Sequence, residues 1–120
     1  MASNMLSESK SLYLLQHASN PVHWQMWSKD LLRENSPTNK LMIISIGYSS
    51  CHWCHVMEEE SFEDTEVAEL MNTHYCAVKV DREERPDIDA RYMNALQLMT
   101  GTGGWPLNII ALPDGTPVYG

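Results

Sequence analysis

The sequence predicts an α/β domain in which a central mixed sheet is flanked by helices on both faces. Residues 41–46 form an apolar run of strand length, and residues 75–80 read as a second strand. A helical segment separates these two strands, as in a strand–helix–strand crossover. The turn at residues 113–115 adds an antiparallel hairpin. These three observations define the predicted fold class.

The remaining elements follow from periodicity and from the residues that start and stop helices. Apolar side chains recur at helical spacing over residues 22–34, which predicts one helix. A second helix is expected from Cys51 to about residue 60, and a third after the capping residue Asp64. Residues 86–101 predict a fourth helix, from Pro86 to the terminating glycine. Residues 107–112 are expected to form the third strand.

Length and composition indicate one globular domain. The 120 residues are 43% hydrophobic and 20% charged, which is ordinary for a globular protein. The net charge of −8 argues against nucleic-acid binding, since the eight basic residues are scattered. We expect an N-terminal arm and helix at about residues 9–35 and a core at about residues 40–120. The sequence stops just after the hairpin turn, so we expect a domain excised from a longer protein.

Cysteine content and the N-terminal sequence bear on the cellular compartment. Three cysteines are too few for a disulfide framework. Residues 1–5 contain no basic region followed by an apolar stretch, and no segment has the length of a membrane span. We therefore predict a cytoplasmic protein with no membrane partner. In that compartment a pair of cysteines is more often catalytic or metal-binding than structural.

The candidate site is the sequence Cys-His-Trp-Cys-His at residues 51–55, between a predicted strand and a predicted helix. Three interpretations compete: a redox-active dithiol, half of a zinc site, and a c-type haem attachment sequence. The redox interpretation has the best structural context, because free N–H groups at the start of a helix stabilise a thiolate. Cys51 would then be the nucleophile and Cys54 the resolving thiol. His52 would favour the thiolate when protonated, and Trp53 would cover the sulfurs.

The zinc and haem interpretations lack supporting residues elsewhere in the sequence. Zinc needs four ligands, and the cysteine pair with His52 or His55 is not followed by a second pair. His74 and Cys76 are poorly spaced for that purpose, and Cys76 is expected to pack in the core. In the haem interpretation His55 would be the axial ligand, but the motif directly follows a buried strand. We therefore predict no metal and no cofactor.

Two other groups of residues are candidates for a binding surface. Residues 81–85 are charged and follow a predicted strand, so they line either the active edge or a solvated loop. His17, His23 and Trp24 would form either a ligand groove or a packed N-terminal arm. The packed arm is the preferred interpretation, since amphipathic aromatic side chains usually pack.

Several long motifs resemble one known family. They are residues 13–18, residues 20–22 with Trp24, and residues 47–49, 51–57, 61–62, 80–87 and 103–108, which together extend over nearly the whole chain. In this order they are similar to the spermatogenesis-associated protein 20 family. Members of that family resemble a thioredoxin-like domain fused to a much larger helical domain similar to the (α/α)6 barrels of sugar-active enzymes. The resemblance therefore implies a thioredoxin-like fold and a large helical partner domain.

The resemblance also implies roles for individual residues. Pro106 would be the cis-proline that faces the dithiol, and Trp105 would shape the same groove. With Trp53, these residues are the predicted substrate-binding set. The chain departs from thioredoxin in one chemically important way: Ser45 stands where thioredoxin has a buried aspartate that helps proton transfer. Ser50 and the His-Trp pair between the cysteines differ from thioredoxin as well.

The sequence leaves two hypotheses for function. The first is a thiol–disulfide oxidoreductase that acts on protein or peptide thiols and disulfides through a mixed disulfide. The second is a non-catalytic module that uses the thioredoxin-like surface to dock a partner domain or a peptide.

Overall fold

A five-stranded mixed sheet lies at the centre of the protein. The computed structural model describes residues 4–57, 60, 62–101, 103–105 and 107–119. Across the sheet the strand order is β1-β3-β2-β4-β5. The strands are β1 (Gln25–Met26), β2 (Leu41–Gly47), β3 (Tyr75–Asp81), β4 (Leu107–Ala111) and β5 (Pro117–Tyr119).

The pairing of the strands confirms the predicted crossover and hairpin. Strands β2 and β3 are parallel, with Leu41 opposite Tyr75 and Gly47 opposite Asp81. Strand β4 is antiparallel to β2, and β5 is antiparallel to β4. The mixed sheet of the predicted fold class is therefore present.

In the part of the chain that the structure describes, five α-helices surround the sheet, and capping residues mark several of their ends. They are α1 (Leu12–Gln16), α2 (Lys29–Asn35), α3 (His52–Met57), α4 (Thr65–His74) and α5 (Pro86–Thr100). Asp64 accepts hydrogen bonds from the first turn of α4, as predicted. Gly101 ends α5 with φ of 79°, a left-handed conformation that costs glycine little. Two short 3₁₀ helices, Leu6–Glu8 and Ser36–Thr38, also lie within the described residues.

The prediction of one helix over residues 22–34 is wrong. Gln25 and Met26 instead form β1, which pairs with the outer edge of β3. The helix begins only at Lys29, because the Ser28 hydroxyl accepts a hydrogen bond from the backbone of Leu31 and caps it. Trp24 is completely buried, so tertiary packing outweighs the helical spacing of this segment. Residues 58 and 59, predicted to continue α3, lie outside the described residues.

Each face of the sheet carries its own buried cluster. One cluster joins strand residues such as Ile44 and Val78 to Leu31 of α2 and to Tyr92 of α5. The other, which we call the dithiol-side core, combines residues from the N-terminal arm, α3, α4 and the sheet. Its buried members are Leu6, Tyr13, Leu14, Val22, Trp24, Cys51, Cys54, Phe62, Ala68, Met71 and Ala77. Helices therefore cover both faces, as predicted.

One edge of the sheet gathers residues that are distant in sequence. Because β2 and β3 are parallel, both end at this edge, and the antiparallel β4 begins there. The backbone N–H of Arg82, just after β3, donates a 2.9 Å hydrogen bond to the carbonyl of Gly47 at the end of β2. Cys51 follows β2, and Trp105 precedes β4. The topology thus brings the candidate site residues to one edge.

Candidate active site

The two cysteines of the motif lie together at the start of α3. Cys51 and Cys54 form a disulfide, with their Cα atoms 5.3 Å apart. The backbone N–H of Cys54 points at the Cys51 sulfur, at a distance of 3.3 Å. The backbone N–H of His55 donates to the Cys51 carbonyl at 3.3 Å, which places Cys51 at the beginning of the helix. On reduction, the backbone N–H of Cys54 and the helix dipole would favour a thiolate at Cys51.

The two cysteines of the disulfide are buried, whereas the two residues between them are exposed. Cys51 is 4% exposed and Cys54 is 1% exposed, so the sulfurs lie at the boundary of the dithiol-side core. Trp53 is 65% exposed, and His52 is exposed beside it. Their rings meet edge to face, with centroids 5.1 Å apart. The outer surface of the first turn of α3 is therefore aromatic and open to solvent.

Arg82 and the rings of Tyr48 and Trp105 form a cation–π cluster at the same edge of the sheet. The Arg82 guanidinium lies 4.2 Å from the centroid of the Trp105 ring and 5.6 Å from that of Tyr48. Trp105 Nε1 donates a 2.8 Å hydrogen bond to Asp89, which also pairs with Arg82 Nε at 3.5 Å. These contacts fix the Trp105 ring. Pro106, the predicted cis-proline, lies outside the described residues.

Gly47 leaves room for two side chains behind the disulfide. A Cβ atom at this position would lie 2.5 Å from Cys54 Sγ and 2.6 Å from the Tyr13 hydroxyl oxygen. Both atoms therefore border the same small space. Tyr13 is completely buried and comes from α1, so the N-terminal arm contributes directly to the surroundings of the dithiol.

Ser45, which departs from the aspartate of thioredoxin, is hydrogen-bonded to a buried lysine. Ser45 is opposite Lys79 in the β2–β3 pairing, and Lys79 Nζ donates to Ser45 Oγ at 3.2 Å. Lys79 is 1% exposed, and its Nζ lies 4.7 Å from the ring centroids of both Trp24 and Phe62. The dithiol-side core thus encloses a lysine that contacts aromatic faces and a serine hydroxyl.

Two histidines connect the arm to α3. His17 is buried, and burial lowers its pKa to about 3, with smaller contributions from Lys79 and His55. Its ring meets the Tyr13 ring edge to face at 4.8 Å and stacks on His55 at 6.0 Å. His55 Nε2 lies at hydrogen-bonding distance, 2.7 Å, from the Ser49 carbonyl. The burial of His17 and Trp24 agrees with packing of the arm, whereas His23 is only half-buried.

The structure also bears on the other candidate sites. The described residues bring together no group of three or more His, Cys, Asp or Glu side chains that could hold a metal ion. Cys76 is a buried free thiol in the cluster with Ile44, which confirms its predicted packing role. Burial raises the pKa of this thiol. None of the helices within the described ranges is long and apolar enough to cross a membrane.

Three residues of this site, Tyr13, Gly47 and Lys79, were not among the candidates from sequence. Tyr13 and Gly47 stood out only as members of the motifs that resemble the family. A visible signal existed for Lys79, because it interrupts an otherwise apolar strand. The charged stretch at residues 81–85 was considered, but Arg82 was not distinguished from its neighbours.

Comparison with known proteins assigns the family. A family model named Thioredox_DsbH, described as "Protein of unknown function, DUF255", matches residues 3–120. The chain belongs to this family. The Thioredox_DsbH domain is 48% identical over 117 residues to spermatogenesis-associated protein 20 of Rattus norvegicus and of Homo sapiens. The alignment covers 98% of this chain and 15% of each relative. The predicted resemblance is therefore confirmed, and the chain spans a small part of those relatives' length.

Solved structures agree on the fold. The structure titled "DsbH Oxidoreductase" matches with a TM-score of 0.57 at 18% identity, covering 80% of this chain and 69% of that one. A putative disulphide-isomerase from Bacteroides thetaiotaomicron matches with a TM-score of 0.62 at 21% identity, covering 83% and 78%. The Thioredox_DsbH domain therefore has a thioredoxin-like fold, with its cysteine pair close together at the start of a helix.

Proposed function

We propose that this Thioredox_DsbH domain is a thiol–disulfide oxidoreductase, with Cys51 as nucleophile and Cys54 as resolving thiol. The observation that carries the proposal is the backbone N–H of Cys54 directed at the Cys51 sulfur at 3.3 Å. A donor in this position lowers the free energy of the Cys51 thiolate relative to the thiol. Cys51 is also the more exposed of the two cysteines, although both are largely buried.

The reaction proceeds through two exchanges of sulfur–sulfur bonds. The Cys51 thiolate attacks one sulfur of a substrate disulfide, and the other substrate sulfur leaves as a thiolate. Cys54 then loses its proton to water or buffer and attacks the Cys51 sulfur. The bond between Cys51 and the substrate breaks and releases the second substrate thiolate. The substrate disulfide gains two electrons, and the Cys51–Cys54 dithiol loses them.

Substrate binding is assigned to the aromatic residues around the dithiol. Trp53 offers an exposed ring, and Trp105 is fixed by Arg82 and Asp89 at the same edge. Pro106, as a cis-proline, would present its loop to an extended protein or peptide segment. His52, when protonated, would tune the potential by favouring a thiolate. The proposal includes a cytoplasmic location, the division into arm and core, and a large helical partner domain in the full-length protein.

A redox titration tests this assignment. Protein with Cys76 replaced by serine, which leaves only the Cys51–Cys54 pair, is equilibrated with glutathione mixtures and the dithiol is quantified. We expect reversible cycling within the range of the glutathione and thioredoxin potentials. Cys54→Ser should accumulate a mixed disulfide on Cys51, whereas Cys51→Ser should lose disulfide reductase activity. Unchanged reduction of a test protein by Cys51→Ser would contradict the assignment.

A second candidate function is a binding module that does not cycle. The burial of both sulfurs favours it, because Cys51 at 4% exposure offers a small target to a bulky disulfide. In that case the aromatic edge would dock a partner domain or a peptide while the disulfide remained structural. A pair that resists reduction across the whole glutathione and thioredoxin range would support this alternative.

A further inference from the structure

We propose that Tyr13, from the N-terminal arm, is a positioning residue for Cys54, whose thiolate accepts a hydrogen bond from the Tyr13 hydroxyl during resolution. This inference rests on the proposed exchange reaction. It assigns a chemical role to a residue outside the strands of the sheet. It also supplies a polar group near the resolving thiol in a fold whose usual carboxylate position holds Ser45.

The geometry brings both groups next to Gly47. The Tyr13 hydroxyl oxygen and Cys54 Sγ lie 2.6 Å and 2.5 Å from the position that a Cβ atom on Gly47 would occupy. A Cβ atom at residue 47 would clash with both atoms, and glycine leaves open the space that they border. The same glycine ends β2, four residues before Cys51, so the sheet fixes this arrangement.

The arm holds the Tyr13 ring firmly enough for positioning. Tyr13 lies in α1, which is capped by the Ser11 hydroxyl. That hydroxyl also donates a buried 2.6 Å hydrogen bond to Asp81 at the end of β3. The edge of His17 packs against the Tyr13 ring, and Lys79 Nζ lies 5.5 Å from its centroid. These contacts restrict the directions in which the Tyr13 hydroxyl can point.

The charged and titratable groups around this space are identifiable. Lys79 approaches from β3, and Asp81 lies at the end of the same strand with its carboxylate bonded to Ser11. His17 contributes from the arm and His55 from α3. His17 remains neutral over the range in which thiols titrate, because burial lowers its pKa to about 3. A basic side chain behind Tyr13 and a donated hydrogen bond both favour a thiolate.

The chemistry of the second exchange step explains why the hydrogen bond matters. Before this step, the Cys51 sulfur is bonded to a substrate sulfur, and Cys54 must lose its proton. The proton passes to water or buffer, and the Tyr13 O–H donates to the resulting thiolate. The Cys54 sulfur then bonds to Cys51 as the bond from Cys51 to the substrate breaks. Tyr13 keeps its proton throughout and changes only the population and direction of the Cys54 thiolate.

The test separates the two exchange steps in time. Reduced protein is mixed in stopped flow with an aromatic disulfide that releases a coloured thiolate, once when Cys51 attacks and once when Cys54 resolves. Tyr13→Phe keeps the ring and removes only the hydroxyl. We expect the first release to be unchanged and the second to be about tenfold slower, as loss of a hydrogen bond to a charged group implies. The pH midpoint of the second release should rise.

A matched control is available on the opposite face of the sheet. Tyr92 is also completely buried, and its hydroxyl donates to the Gly115 carbonyl at 2.6 Å. Tyr92→Phe should lower stability but leave both release rates and their pH dependence unchanged. If Tyr13→Phe matches the wild type in both releases at every pH, the inference is wrong.

A second measurement does not depend on exchange. In a Cys51→Ala background, the pKa of Cys54 is titrated by thiolate absorbance with Tyr13 and with Phe at position 13. We expect Tyr13→Phe to raise this pKa by about one pH unit, and meta-fluorotyrosine, a stronger donor of similar shape, to lower it. An unchanged pKa in both variants overturns the inference. Absence of release from wild-type protein would instead contradict the proposed function, while this titration still tests Tyr13.

Discussion

Ser11 and Asp81 are joined by a buried hydrogen bond of 2.6 Å between residues 70 positions apart. The same Ser11 hydroxyl accepts a hydrogen bond from the backbone N–H of Leu14, at 3.2 Å. One side chain thus starts α1 and attaches the arm to the end of β3. This attachment determines where Tyr13 lies relative to the dithiol.

The first prediction concerns this attachment. Ser11→Ala removes the cap of α1 and the hydroxyl that donates to the buried Asp81, so we expect a loss of about 2–3 kcal/mol in unfolding free energy. The matched control is Ser28→Ala, which removes the cap of α2. It should cost about 1 kcal/mol. Denaturant unfolding of both variants provides the comparison, and equal losses would mean that the Asp81 bond adds no stability.

The second prediction concerns the space at Gly47. Gly47→Ala would place a methyl group against both Cys54 Sγ and the Tyr13 hydroxyl, at distances that real Cβ atoms essentially never show. We expect the free energy of unfolding to fall by about 1–3 kcal/mol, as in other overpacked cores. Gly103→Ala is the control, because its Cβ would meet the flexible ends of Met93 and Gln97. A loss at Gly47 no larger than that at Gly103 would contradict this account.

The third prediction is a double-mutant cycle on Ser45 and Lys79. Ser45→Ala removes an acceptor from a buried amine and should lower the unfolding free energy by about 1–2 kcal/mol. Lys79→Met retains an apolar stem and removes the donor. We expect the double variant to lose about 1 kcal/mol less than the sum of the single losses. In the control cycle Lys29, which is exposed on α2, is replaced by methionine. The losses in unfolding free energy from Lys29→Met and Ser45→Ala should add.

The fourth prediction concerns acid sensitivity. His17 titrates near 6.5 in the unfolded chain and near 3 in the folded protein, so the unfolded state binds the extra proton between these values. The contribution of neutral His17 to the free energy of unfolding is therefore fully present above about pH 6.5, and it is lost as the pH falls towards 3. The slope reaches up to about 1.4 kcal/mol per pH unit.

Substitution of His17 isolates this contribution. In His17→Phe, which cannot titrate, the fall in unfolding free energy on acidification should be shallower than in the wild type. Denaturant unfolding at a series of pH values measures both slopes. His74→Gln changes an exposed histidine at the end of α4 and should leave the wild-type slope intact. Equal slopes for wild type and His17→Phe would rule out His17 as the source.

The sequence was sufficient for the sheet and its connections because those elements carry strong local signals. The apolar run of β2, the cap at Asp64 and the proline that begins α5 each have a direct physical reason. Strand β1 could not be predicted, because its two residues are stabilised by pairing with β3 rather than by their own pattern. Helical spacing around Trp24 reflected burial against the sheet, not a helix.

In the candidate site, too, the local features could be predicted from the sequence and the contacts between distant segments could not. The cysteine pair was visible, since its spacing and its place before a helix are local features. The approach of Tyr13 and Cys54 to the same glycine, Gly47, and the contact of Arg82 with Trp105 join segments that are far apart in sequence. Such contacts depend on the strand order, so residue types and spacing alone do not reveal them.

The packed arm has a consequence for where this domain can be cut. A fragment beginning at Lys40 would retain β2 to β5 and the Cys51–Cys54 pair, and it would look like a minimal thioredoxin-like unit. It would lack Tyr13 and His17, so solvent would reach Cys54 from the side that the arm closes. The smallest unit that preserves the surroundings of Cys54 is therefore larger than the smallest unit that preserves the strands around the cysteine pair.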